Sequence, residues 1–243
     1  MKRQRGVALL VVLWVLALLS LLLASLAGSV RLETRQALWQ RQHTQGLLAA
    51  EAGVSLAVVG LLERNPNLRW RADGQPHSLA FDGAQVQVNV LSEQGKLDLN
   101  VAALADFGRL LKAAGASTAQ AEELEHALNQ RRGGHPPLRL LEEVRELPGM
   151  SEALYSALLS EITLWSGLDN PVSAFASPLL RRALGLGNAP GKGIVENSDP
   201  GHILTLHSQA RLANGFTTAL SVTLLLTASK EGTRPYRVLR WQE

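Results

Sequence analysis

Asp98 and Asn100 sit in the run Gly95-Lys-Leu-Asp-Leu-Asn100, where period-2 spacing places a carboxylate and an amide on one side of an extended segment. A general base beside a polarising amide would need that arrangement. The same two residues at a strand-to-helix junction also serve as turn and capping groups, and that is the expected role. Six histidines are present, but they do not cluster at metal-ligand spacing. His202 and His207 fall on or beside an expected strand and read as surface or packing residues. The absence of cysteine removes disulfides, thiolate metal sites and cysteine nucleophiles. There is no Gly-x-Ser-x-Gly elbow and no phosphate-binding Walker loop. Neither a catalytic set nor a metal-ligand set is expected.

Leu138–Trp165 carries one further chemical possibility, a helix-hairpin-helix that grips DNA phosphates through backbone N–H groups. Its hairpin would be Gly149-Met150-Ser151, without the second glycine. Glu142, Glu143, Glu146, Glu152 and Glu161 surround it and repel phosphate. A structural helix pair is expected, with no nucleic-acid partner. The overall charge agrees. The pI of 9.6 suggests a basic surface, but Lys2, Arg3 and Arg5 supply three of the 24 basic residues, and the first six residues contain no acid. Beyond Gly6, the remaining 21 basic residues balance 21 acidic ones. The excess is an orientation signal in front of an apolar segment.

That segment, Val7 to Ala27, is uncharged throughout. At ~1.5 Å per residue it makes a helix of roughly 31 Å, about the hydrocarbon thickness of a bilayer. The basic cluster ahead of it predicts a cytoplasmic N-terminus and a single crossing. A secretory signal peptide has a shorter apolar core followed by small residues at its cleavage site, here Ser25-Leu26-Ala27. An uncleaved anchor needs only length and flanking charge. What separates these readings is the continuation. Leu38, Leu47, Leu48, Val54, Val58, Leu61 and Leu62 recur at mostly helical spacing, and no proline occurs between Val7 and Arg64. Asn65-Pro66-Asn67 ends the pattern. The expectation is one helix to about Glu63, roughly 85 Å long; the alternative is two helices with a bend near Gly28-Ser29.

Beyond a loop at 66–76, His77–Phe81, Asp82-Gly83 and Ala84–Leu91 predict a hairpin with a tight primed turn. Gly95–Asn100 is expected to close this β segment. Helices are expected at Ala102–Ala114, from a Ser117/Gln120 capping box to about Gln130, and at Leu138–Leu147, Ser151–Trp165 and Pro178–Leu184. Arg131–Pro137 reads as a loop. Ile203–Leu212, Phe216–Thr227 and Tyr236–Trp241, with turns at Asn214-Gly215 and near Glu231-Gly232, predict a closing meander. The fold class is α+β: a long N-terminal helix on an antiparallel sheet, with helices inserted between two β parts. The division is 1–6, 7–27 and 28–64 for leader and helix halves, then 66–100, 101–200 and 201–243.

The chain resembles the K-type minor pseudopilins of the type II secretion system over its full length. The resemblance is carried by Arg5-Gly6-Val7-Ala-Leu-Leu-Val-Val-Leu-Trp14, Ala49-Ala-Glu51-Ala-Gly53, Gly95-Lys-Leu-Asp98-Leu-Asn100-Val-Ala, Leu147-Pro-Gly-Met150 and Tyr236-Arg-Val-Leu-Arg-Trp241. It implies cleavage by a prepilin peptidase between Gly6 and Val7, N-methylation of Val7, and a mature helix that remains in the bacterial inner membrane with its C-terminal domain in the periplasm. Most pilins and pseudopilins carry a glutamate at the fifth mature position, which here is Val11. K-type proteins lack that glutamate, which implies a place at the pseudopilus tip. The implied partners are the I- and J-type minor pseudopilins, the major pseudopilin and the inner-membrane assembly platform. The family's acidic calcium-binding loops have no counterpart: Arg131-Arg-Gly-Gly-His-Pro-Pro137 is short and basic, so no calcium and no other cofactor is carried over. Two other classes remain open, a minor pilin of a type IV pilus and a bitopic periplasmic binding protein with an uncleaved anchor.

Overall fold

The structure is a computed structural model. It describes residues 5–134, 136–187, 195, 198–227 and 234–243, with side chains of 5–8 and 23–31 outside that description. Helix α1 runs unbroken from Arg5 to Leu61, 57 residues that continue through Gly28-Ser29 as one helix. Its end is pinned where Trp70 N–H donates to Gly60 O at 2.9 Å, as the chain turns at Asn65-Pro66.

Strands β1 (Asp73–Phe81), β2 (Ala84–Ser92), β5 (Ile203–Arg211), β6 (Thr217–Leu226) and β7 (Tyr236–Gln242) form one antiparallel sheet in the order β1-β2-β5-β6-β7. The turn between β1 and β2 is the expected one, with Asp82 and Gly83 at φ 45° and 75°. Strand β1 starts earlier than expected, within what reads as loop, because a bulge between Asp73 and Pro76 absorbs the proline. The turn near Glu231-Gly232 lies outside the described residues.

The distal half of α1 lies across this sheet. Ala49, Ala50, Val54, Ala57 and Val58 meet Val86, Val88 and Val90 of β2, Leu204 and Leu206 of β5, and Leu220 and Val222 of β6. The helix sits close because Gly46, Gly53 and Gly60 recur every seven residues on its sheet-facing side. A Cβ on Gly53 would lie 2.6 Å from both Ser208 Oγ and Val86 Cγ1, and one on Gly60 would strike the Trp70 ring. Ser208 Oγ donates to Ala50 O at 2.8 Å, tying β5 to the helix.

A second core lies in the segment between β2 and β5. It gathers Leu97, Leu99, Phe107, Leu110, Leu111, Leu124, Leu128, Leu158, Ile162 and Leu180. This core is built by β3 (Leu97–Asp98) and the Leu99 that follows it, α2 (Leu104–Ala113), α3 (Thr118–Gly134), α4 (Glu142–Arg145, through Val144), α5 (Glu152–Leu158), β4 (Ile162–Thr163) and α6 (Pro178–Leu184).

Several expected boundaries are corrected. Gly95–Asn100 does not close the hairpin sheet: β3 pairs in parallel with β4 and belongs to the second core. The expected helix at Ser151–Trp165 therefore stops at Leu158, because Glu161 O and Thr163 O accept from Leu97 N and Leu99 N. Helix α3 continues to Gly134, through residues expected as loop. Its last turn is held by Arg132, which donates to Leu99 O and Ala102 O, and by Arg131, which donates to Pro136 O. The expected helix at Leu138–Leu147 shrinks to Glu142–Arg145, because Leu138 gives both backbone groups to Asn100. The capping box is half-formed: Gln120 N–H donates to Ser117 Oγ, but the Gln120 amide reaches Gly149 O instead of returning to the cap.

Candidate assembly interface

The sequence pattern points to two places, and they behave in opposite ways. The polar pair Asp98 and Asn100 is closed. Asp98 is 1% exposed; its Oδ1 accepts from Asn100 N at 2.9 Å, and its Oδ2 accepts from Gly167 N at 2.8 Å and Ser166 Oγ at 3.3 Å. Asn100 bonds Leu138 on both sides and also reaches Leu164 O. The Asp98 to Asn100 bond is the turn contact expected of the pair, while the remaining bonds tether segments distant in the chain. Arg132 crosses behind, its pKa held below the usual guanidinium value by burial, with the nearby Asp98 carboxylate acting the other way. The cluster joins β3, α3 and the chain on either side of α4, and both side-chain oxygens of Asp98 and the whole amide of Asn100 are used in doing so.

Glu142 and Glu143 are likewise engaged. Glu143 accepts from the backbone N–H of Arg139 and Leu140 and pairs with Arg131; those backbone bonds, then Arg131, hold its carboxyl below the usual range against the opposing effect of burial. Glu142 pairs with Arg240 of β7 at 2.9 Å. Glu123 lies against Gly149, the turn residue at φ 85°, where a Cβ would come 2.9 Å from its carboxyl carbon. A carboxylate therefore stands at the hairpin where a phosphate would have to sit. Among the described residues no three His, Asp or Glu side chains converge as metal ligands. His202 precedes β5 and His207 lies on it, facing Asn89 and Ser221.

The long helix is open. From Leu9 to Leu22 its large apolar side chains are more than half exposed, Val11 at 56% among them. The one hydroxyl in that stretch, on Ser20, donates back to Leu16 O at 2.8 Å, which satisfies it without water. Mean hydropathy over part of Leu32–Leu61 is also high enough for a span. That stretch, however, spends its apolar face on the sheet through Ala49, Ala50, Val54, Ala57 and Val58. The bare stretch is thus the one that needs a lipid or protein environment. Leu32, Leu38 and Trp39 continue the exposed apolar surface toward the sheet, and the Trp39 ring lies 5.0 Å from His43. Gly6 and Val7 occupy the first turn of α1; their side chains, and residues 1–4, lie outside the described residues.

Sequence reasoning missed Arg132 and the helix glycines. The seven-residue glycine spacing was visible; nothing local marked Arg132. It also missed Glu93, fully buried between a 3₁₀ turn (Glu93–Gly95) and the sheet, where it binds Lys96 and Thr205 Oγ1.

No protein-family model matches the chain, and no curated protein does. Among solved structures, it is similar to a chain of the GspK–GspI–GspJ complex from the enterotoxigenic Escherichia coli type 2 secretion system. The TM-score is 0.57 at 15% identity, covering 84% of this chain and 97% of that one. At that identity the likeness is one of fold, and the chain thus shares the α+β fold of a chain in that complex.

Proposed function

We propose that the chain is a minor pseudopilin of a type II secretion system, anchored in the bacterial inner membrane and acting in the pseudopilus tip complex that initiates assembly. The observation that carries this reading is one helix with two environments. Its distal half is packed on a sheet in a fold shared with a chain of the GspK–GspI–GspJ complex, and its proximal half is apolar and bare. In this reading a prepilin peptidase cuts between Gly6 and Val7 on the cytoplasmic side, and Val7 is N-methylated. The apolar stretch waits in the bilayer and then moves into a filament core. The work is assembly through surfaces, with no bond made or broken by this chain.

Val11 supports a leading position. An unpaired carboxylate there is costly in the membrane, by ~2.5–3.5 kcal/mol at most, the value for a span's centre, and a subunit with no neighbour above it gains nothing from carrying one. The partners are I- and J-type minor pseudopilins, as in the complex of shared fold, together with the major pseudopilin and the assembly platform.

Intact-mass measurement of the protein from a peptidase-positive host tests the processing step: a chain beginning at methylated Val7 is expected. Retention of Met1–Gly6 there sinks it. Co-purification from membrane extracts tests the tip assignment, with I- and J-type subunits expected together with this chain and their consistent absence counting against it.

A further inference from the structure

Both edges of the sheet carry a bulge, β1 between Asp73 and Pro76 and β7 between Val238 and Arg240, but they differ in what they present outward. Along the β1 edge, the Phe81–Ala84 pair closes a two-residue turn as a hydrogen-bonded pair. Bonded and non-bonded pairs alternate in an antiparallel ladder, so Pro76, opposite Asn89, falls in an outward-facing phase. Proline has no N–H to offer there, and the bulge between Asp73 and Pro76 bends the remaining edge away. On the opposite edge, Thr227 N–H donates to Pro235 O at 2.9 Å, which makes that a bonded pair. The next non-bonded pairs are Leu226–Tyr236 and Leu224–Val238. The N–H and C=O groups of Tyr236 and Val238 therefore point away from β6.

The side chains beside those groups are of two kinds. Val238 and Trp241 stand opposite Leu224 and Val222, which face α1, yet they are 41% and 44% exposed. They extend the apolar face of the sheet past the cover of the helix. Arg234 and Arg237 are exposed, and Arg237 has no ion-pair partner among the described residues; Arg240 is already committed to Glu142. A basic residue alone would guard an edge, but a guard needs no exposed tryptophan and valine next to it.

We infer that the outer edge of β7 receives an extended acidic segment of another protein chain, which adds a strand to the five-stranded sheet. Main-chain bonds go to Tyr236 and Val238, apolar side chains of the incoming strand cover Val238 and Trp241, and a carboxylate pairs with Arg237. A second copy of this chain fits less well, since antiparallel pairing of two β7 edges brings like-charged arginines together. The docking edge stands apart from the pseudopilin reading and holds whichever machine the chain serves.

The test uses the full chain in detergent micelles and a short synthetic peptide of alternating valine and glutamate, with a valine–lysine peptide as its counterpart. Amide hydrogen exchange at Tyr236 and Val238 is expected to slow about tenfold with the acidic peptide, while Ser78 and Ala80 on the β1 edge do not change. Val238→Pro removes an outward donor that β6 does not use, and abolishes the effect. Arg237→Glu leaves the backbone intact and shifts the preference toward the lysine peptide by about fivefold. Equal slowing by both peptides overturns the proposal, as does no slowing, or an unchanged preference in R237E. Slowing that instead rises with protein concentration in the absence of peptide assigns the edge to a second copy and overturns it too.

Discussion

Asn100 holds Leu138 by both of its backbone groups, across 38 residues of chain: its Oδ1 accepts from Leu138 N at 2.8 Å and its Nδ2 donates to Leu138 O at 3.0 Å. An amide side chain thus stands where a paired strand would otherwise be. It fixes the segment after Pro136-Pro137 against β3, and it explains why no helix starts at Leu138.

Asn100→Ala leaves a buried N–H and C=O without partners. A loss of about 2–3 kcal/mol is expected, read as a lower denaturation midpoint of the full chain in detergent. Asn100→Asp keeps the acceptor and loses the donor, so it should fall between the two. An alanine variant as stable as the parent contradicts the clasp.

How legible these arrangements were depended on sequence separation. The Asp82-Gly83 turn and the alternation of Val86, Val88 and Val90 are local signals, and both predicted what formed. So did the absence of proline along α1. Leu97–Asp98 also read as strand, but its partner Ile162–Thr163 lies 65 residues on, and no periodicity names a partner at that distance. The pairing decided where α5 stops. Helix α3 ran past its expected end because Arg131 and Arg132 found carbonyl partners there, while Gly133-Gly134 and the prolines read locally as loop. Asp98 and Asn100 were picked out for their chemistry and assigned to a turn or cap; the Asp98–Asn100 bond is that turn, but their other bonds reach segments 38 to 69 residues away that no local pattern could name.

Close approach of α1 to the sheet rests on Gly53. A Cβ there would sit 2.6 Å from Ser208 Oγ and Val86 Cγ1. Both neighbours belong to packed strands and have little room to move. Gly53→Leu is expected to cost about 1–3 kcal/mol or more through overpacking. Ser208→Ala removes only the bond to Ala50 O and should cost about 1 kcal/mol. In the double variant the alanine gives the leucine space, so the combined loss should fall short of the two single losses added together. Full additivity, measured by thermal denaturation, would place the clash elsewhere.

Glu143 makes part of the stability pH-dependent. Its carboxyl is held below the ordinary value of 4.5 by the N–H groups of Arg139 and Leu140, and then by Arg131. A depressed folded-state pKa means that the charged form is favoured by folding. The contribution is complete above the unfolded-state value and disappears as pH falls through the lower folded-state value. Glu143→Gln should therefore lower the melting temperature at pH 7, and the gap between parent and variant should close below pH 4.5. A gap of constant size from neutral to acid pH is inconsistent with this account.

Val11 offers the sharpest separation between a membrane-borne assembly subunit and an ordinary anchored protein. It is an apolar residue near the start of a bare helical stretch. A glutamate there must find a cation, stay protonated or resist insertion, at a cost bounded by the ~2.5–3.5 kcal/mol of a span's centre. If the chain leads a filament, Val11→Glu has no subunit above it to supply an amine, and the penalty stays uncompensated. The variant should show a smaller membrane-integrated fraction on alkaline extraction, and weaker recovery of the I- and J-type partners. An ordinary anchor tolerates one acidic residue with only the first effect, because no assembly depends on the helix surface. Unchanged partner recovery in V11E, alongside reduced integration, therefore argues for an anchor; loss of both argues that this face of α1 is the one that assembles.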